Sequence, residues 1–111
     1  METNEQKLVR LCEENPELKI LPCVDYDVCC DDTFKWWLGQ INDISIKTRL
    51  FYEETYCGAE KVFFEEEDTE EIFEKLEENN KDWTEDQIQF LFDNIKREKV
   101  IALRIGLYER I

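Results

Sequence analysis

The run EEEDTEEIFEKLEENNKDWTEDQIQFLFDNIK, residues 65–96, leaves this chain few ways to fold. It reads as a helix, a polar break at Asn79-Asn80, and a second helix with its own start signal. With Ile72 at zero on a wheel turning about 100° per residue, Leu76 falls near 40° and Phe73 near 100°. The apolar centre at roughly 45° must face a core. Glu67, Glu70, Glu71, Glu74, Glu77 and Glu78 all fall between about 140° and 260°, opposite that core face. Asp68 with Glu71 is the expected N-terminal cap of this first helix. In the second, Thr84 and Gln87 form a capping box, and Trp83 is placed to close on Ile88 as a hydrophobic staple. Ile88, Leu91, Phe92 and Ile95 then recur at i, i+3, i+4 and i+7 as a core stripe. Lys96, Arg97 and Lys99 follow at the negative end of the helix dipole, where cations stabilise.

Two amphipathic helices need an apolar sheet, and the flanking sequence supplies strands. Residues 44–53 alternate, with Ile44, Ile46, Thr48, Leu50 and Tyr52 on one side. A loop over Thr55–Ala59 is expected to turn the chain back through residues 60–65, with Val62 and Phe64 inward. Residues 34–40 (FKWWLGQ) read as a further strand closed by a turn at Asn42-Asp43. Residues 18–24 (LKILPCV) are strand-like, but Pro22 lacks the N–H a ladder needs and points to an edge. Residues 100–107 are apolar on both faces apart from Arg104, as in a central strand. At the start, Thr3 and Gln6 make a capping box before a short helix carrying Leu8, Leu11 and Cys12, which Asn15-Pro16 stops. The expectation is one α+β domain over residues 1–111. Its mainly antiparallel sheet has about five strands, with the N-terminal helix and the C-terminal helix pair on one face.

Charge decides which partners such a domain can have. The formal net charge is −14, and residues 53–86 hold 15 acids against 3 bases. A field of that sign repels nucleic acid and anionic lipid and draws in basic protein surfaces. No direct nucleic-acid or membrane contact is expected. Met1-Glu-Thr-Asn-Glu has neither a basic start nor an apolar run, so no secretory signal is expected and the cytoplasm is the expected compartment. Five cysteines then read as reduced thiols.

The residues for catalysis are missing. The chain has no histidine, so the usual general base and the commonest metal ligand are absent. The cysteines show no C-x-x-C spacing, and free, partly buried thiols fit them better than a zinc site. Residues 25–36 fail the calcium-loop template, since Cys30 stands at the glycine position and Trp36 at the terminal glutamate. Glycines 39, 58 and 106 stand apart and form no phosphate loop. The expectation is no enzyme, no cofactor and no metal.

Two features remain as candidate contacts. Trp36 and Trp37 project to opposite faces of a strand, so one packs inward, and the other is either covered by helices on the second face or exposed as an anchor for a partner. The acidic arc is the other, extended by Asp82 and joined by Asp31 and Asp32 of the loop before the tryptophans. Acids at i and i+3/i+4 recur at ~5–6 Å along a helix, comparable to the phosphates of a nucleic-acid strand. A solvated face that serves only solubility is the plainer alternative.

Glu65-Glu66-Glu67-Asp68, Glu70-Glu71, Glu74, Glu77-Glu78, Asp82 and Glu85-Asp86 give the chain a family character. In this it resembles the small, acidic α+β anti-defence proteins of phages and mobile elements, the anti-CRISPR proteins in particular. The resemblance implies a nucleic-acid mimic whose carboxylates occupy the basic groove of a nucleic-acid-binding protein, a CRISPR effector nuclease among them, inside a bacterial host cell. The alternative is a structural or regulatory interaction module, a homodimer, whose acids confer solubility.

Overall fold

The computed structural model describes residues 1–25, 28, 38–56 and 59–108. The fold is α+β. Among the described residues it has three helices and one four-stranded sheet of order β1-β6-β2-β5, with a separate two-stranded ribbon. The elements are α1 (Asn4–Glu14), β1 (Lys19–Val24), β2 (Gly39–Leu50), β3 (Thr55–Tyr56), β4 (Ala59–Glu60), β5 (Phe63–Phe64), α2 (Glu65–Asn79), α3 (Glu85–Asp93) and β6 (Arg97–Leu107). Among the described residues, no helix is long and apolar enough to cross a membrane. The chain divides into two compact units, Met1–Ile46 with Lys99–Ile111, and Lys47–Glu98.

The first unit is built on α1, β1 and parts of β2 and β6. The capping box at its start is formed: Gln6 N–H donates to Thr3 Oγ1 at 3.1 Å and Thr3 N–H to Gln6 Oε1 at 2.9 Å. Leu11 is buried with Ile44 and Ile101, and Leu8, Cys12, Leu18, Ile41 and Leu103 pack around them. The Asn4 side-chain amide donates to the Ile41 carbonyl at 2.7 Å, fixing the helix start against the strand. Cys12 and Cys23 form no disulfide among the described residues.

The second unit has its own core. Leu50 and Phe63 are cross-strand partners, and Ile72 and Leu76 of α2 and Ile88 and Phe92 of α3 close over them. Burying side chains of this size is worth about 1.5–3 kcal/mol each. The Phe73 and Phe92 rings stack at 4.4 Å and join the two helices, while Tyr52 meets Phe63 edge-on at 5.6 Å. The stripes expected of both helices are thus the faces that pack.

Several expectations give way. The sheet is mixed and four-stranded, not a mainly antiparallel sheet of five, because β1 lies parallel to β6. Most of the chain lies between these two strands, which leaves room for the crossover that parallel pairing needs. No turn forms at Asn42-Asp43, and β2 runs straight through them. Their polar groups find local partners instead: Gln40 Nε2 donates to Asn42 Oδ1, and Ser45 Oγ to Asp43. Thr55–Tyr56 and Ala59–Glu60 pair as the antiparallel β3–β4 ribbon, within the stretch expected to be a loop. Phe64 is buried as expected, but its neighbour Phe63 is buried too while Val62 is only partly buried, and the chain leaves the strand for α2 at once. That helix starts at Glu65, ahead of the expected cap at Asp68. The Asp68 carboxylate instead reaches back to accept the Phe64 N–H at 2.7 Å. Residues 34–37 of the expected third strand lie outside the described residues.

Candidate functional site

The outer face of α2 carries the acids that the sequence singles out, and the structure sorts them into two groups. The first group is engaged by its own unit. Glu65 lies 3.4 Å from Arg97, and Glu66 accepts the Thr48 N–H through both carboxylate oxygens, at 2.8 and 3.0 Å. Glu67 lies 3.4 Å from Lys47, and Glu71 pairs with Lys61. Asp68 holds the Phe64 N–H. Burial works to raise the Glu66 carboxyl, but backbone N–H groups of Thr48 and Glu66, the Thr48 hydroxyl and Lys47 outweigh it, and the net shift is downward.

Glu67 and Glu71 were both expected on the partner-facing surface. They are instead neutralised from β2 and from Lys61, which no i, i+4 spacing along the helix could reveal. Lys75, within α2, is likewise spoken for by Glu54 at 2.7 Å. That contact lowers the Glu54 carboxyl and raises the Lys75 ammonium.

The second group is open. Glu70, Glu74, Glu77 and Glu78 are exposed, and among the described residues none is hydrogen-bonded or ion-paired through its side chain. On the wheel they span about 140° to 240°, centred away from Ile72 and Leu76. Glu70, Glu74 and Glu78 form a row with steps of about 6 Å along the axis, and Glu77 sits beside it. Asp82, in the turn after the helix, is exposed as well. No basic residue stands in the last turn of α2, so Glu77 and Glu78 sit uncompensated at the negative end of the dipole.

The remaining candidates, Trp36, Trp37, Asp31 and Asp32, lie outside the described residues. Among the described residues no group of three or more carboxylates and thiols is arranged to hold a metal ion. An aromatic that the sequence reading passed over stands out. Phe90 is 66% exposed on α3, and Trp83, expected to close on Ile88, keeps 45% of its surface exposed. With Ile88 at zero, Phe90 falls near 200°, so the wheel alone marks it as an apolar residue on the wrong face.

Comparisons with protein-family models, curated proteins and solved structures find no match to this chain. Site geometry and charge therefore carry the functional reading.

Proposed function

We propose that the chain is a non-enzymatic binding protein that inhibits a nucleic-acid-binding protein by presenting carboxylates to its basic groove. The presenting surface is narrower than the full acidic arc: Glu70, Glu74, Glu77 and Glu78, continued by Asp82. The observation that carries this reading is their lack of side-chain partners among the described residues, in a unit with 17 acids and 7 bases over residues 47–98. Neighbouring glutamates of one helix face repel each other, and those at its C-terminal end oppose the dipole. A binding function accounts for an arrangement that stability alone disfavours. The spacing of the row suits a groove lined for phosphates, and the likeness to anti-CRISPR proteins makes a CRISPR effector nuclease the first target to try.

The test compares the wild type with the triple variant Glu70→Lys, Glu74→Lys, Glu77→Lys and with the control Glu67→Gln, Glu71→Gln. The wild type and the control should block nucleic-acid binding by a CRISPR effector nuclease, less strongly as salt rises, and the triple variant should not. Equal inhibition by the triple variant sinks the reading.

A second reading, a homodimeric interaction module, is favoured by one observation. Among the described residues β1 ends the sheet order, and its Ile20 and Val24 are about half exposed at 45% and 51%. An edge strand of that kind is a template for pairing. A salt-insensitive dimer in sedimentation, formed without any other protein, would select this reading.

A further inference from the structure

We propose that the outer face of α3, centred on Phe90, docks an arginine-bearing amphipathic segment of a partner protein, with a guanidinium over the Phe90 ring. The inference rests on the reading above and names the anchor that an electrostatic surface lacks.

Single exposed apolar residues are ordinary, so exposure alone decides nothing. What distinguishes Phe90 is the company it keeps. Elsewhere in its unit, rings carry the chain's own cations: Arg49 and Lys96 lie over Phe51, Lys61 over Phe63 and Arg97 over Phe92, all within 5.0 Å of the ring centroid. Phe90 has no such cation among the described residues. Carboxylates flank it instead. On the α3 wheel, Asp86 lies near 160° and Asp93 near 140°, against about 200° for Phe90. Asp86 is one step of about 6 Å before the ring along the axis, and Asp93 about 4.5 Å beyond it. Asp86 has no side-chain partner among the described residues, and Asp93 uses Oδ1 to accept from Gln89 Nε2 at 2.8 Å. Half-exposed Trp83 directly precedes the helix cap Thr84, next to Asp82.

A ring between two carboxylates is complementary to a planar cation on an apolar support. Arginine fits better than lysine because it stacks on the ring while its N–H groups fork onto a carboxylate. A second copy is the wrong occupant, since it would set Asp86 and Asp93 against their like in an already acidic unit. The contact adds a component that salt screens little, because ring stacking and apolar burial survive where the Coulomb attraction of the α2 row fades.

The experiment titrates the isotopically labelled full chain with a synthetic amphipathic peptide of arginine, leucine and alanine. Its control is a peptide of equal charge made of arginine, glycine and serine. The amphipathic peptide should move the amide resonances of residues 86–94 and bind more tightly than the control. Phe90→Ala should weaken it about tenfold or more, as loss of an interface anchor does, with the melting temperature kept. Equal affinity of Phe90→Ala, or equal binding of the two peptides, overturns the inference. So does a wild-type dimer that Phe90→Ala dissolves, which would make a second copy the occupant. The α2 reading fails separately. Phe90-dependent binding that persists in the Glu70, Glu74, Glu77 triple lysine variant, with inhibition also intact, removes the row and leaves the anchor.

Discussion

The Glu66 carboxylate accepts the backbone N–H of Thr48 through both of its oxygens. β5 is only two residues long and pairs Arg49 and Leu50 of β2, so it ends before it reaches Thr48. A side chain from the first turn of α2 takes over the donor there. The acid therefore belongs to the fold, although it stands in the same run as acids that do not. Glu66→Ala should lower stability by about 1 kcal/mol, the worth of a typical net hydrogen bond, while Glu70→Ala should be neutral within error. Urea denaturation of the two variants checks this.

Acid should destabilise the protein through the same contacts. The Glu2 carboxyl is held below its usual 4.5 by its hydrogen bond to Arg10, and the Glu54 carboxyl by its bond to Lys75. Glu66 is also net lowered, its backbone hydrogen bonds overcoming burial. A carboxyl lowered in the folded state stabilises fully above its unfolded value, here 4.5, and that stabilisation is lost as pH falls through the folded value. The midpoint of urea unfolding should stay level above about pH 5 on this account and drop below it. Glu66→Gln should flatten part of that drop.

Glu77 and Glu78 occupy the last turn of α2, where no base offsets them. Replacing Glu78 by Lys relieves the dipole and places a cation four residues after Glu74, the favoured order for a helical pair. A gain of about 0.3–1 kcal/mol is expected from the dipole contribution. It should appear as a higher melting temperature, and added salt should raise the wild type toward the variant. A variant that melts below the wild type would count against the reading that these acids are costly to the fold.

Arg97 closes the far end of α3. Its guanidinium donates to the carbonyls of Ile95 at 2.7 Å and Phe92 at 3.2 Å, and lies over the Phe92 ring at 4.9 Å. Lysine carries the charge but neither the planar fork nor the stacking face. Arg97→Lys should therefore cost about 1–2 kcal/mol, much as loss of a helix cap does, measured by thermal denaturation. Hydrogen exchange should quicken first at residues 92–95.

Two glycines make a graded pair in the first unit. A Cβ on Gly39 would stand 2.6 Å from Ile105 Cγ2 and 3.1 Å from the Gly106 carbonyl, and that carbonyl cannot swing aside. At Gly106 the clash is with the Asn42 side-chain amide, which can rotate once its hydrogen bond from Gln40 is given up. Gly39→Ala should cost about 1–3 kcal/mol as an overpacked site, and Gly106→Ala less. Adding Asn42→Ala should rescue the second and leave the first unchanged.

Short-range pattern foresaw what short-range physics controls. Thr3 with Gln6 and Thr84 with Gln87 form the capping boxes their spacing announces, and Ile72, Leu76, Ile88 and Phe92 face the core their periodicity marks. Asp68 does not precede the first helix of the pair but lies in its first turn, and its carboxylate accepts the Phe64 N–H from there, a role its spacing from Glu71 does not distinguish from a cap. Asn42-Asp43 form no turn because polar neighbours on the same strand, Gln40 and Ser45, satisfy them in place.

By itself the sequence determined the helices, their buried stripes and the concentration of acid on one helix face, since each follows from residues within a turn or two of one another. Tertiary structure alone decided that β1 runs parallel to β6, and that Lys47 and Lys61 silence Glu67 and Glu71 while Glu70, Glu74, Glu77 and Glu78 stay open. Those outcomes depend on which distant segments pair, and a cation one strand away leaves no trace in the spacing of the acids it neutralises.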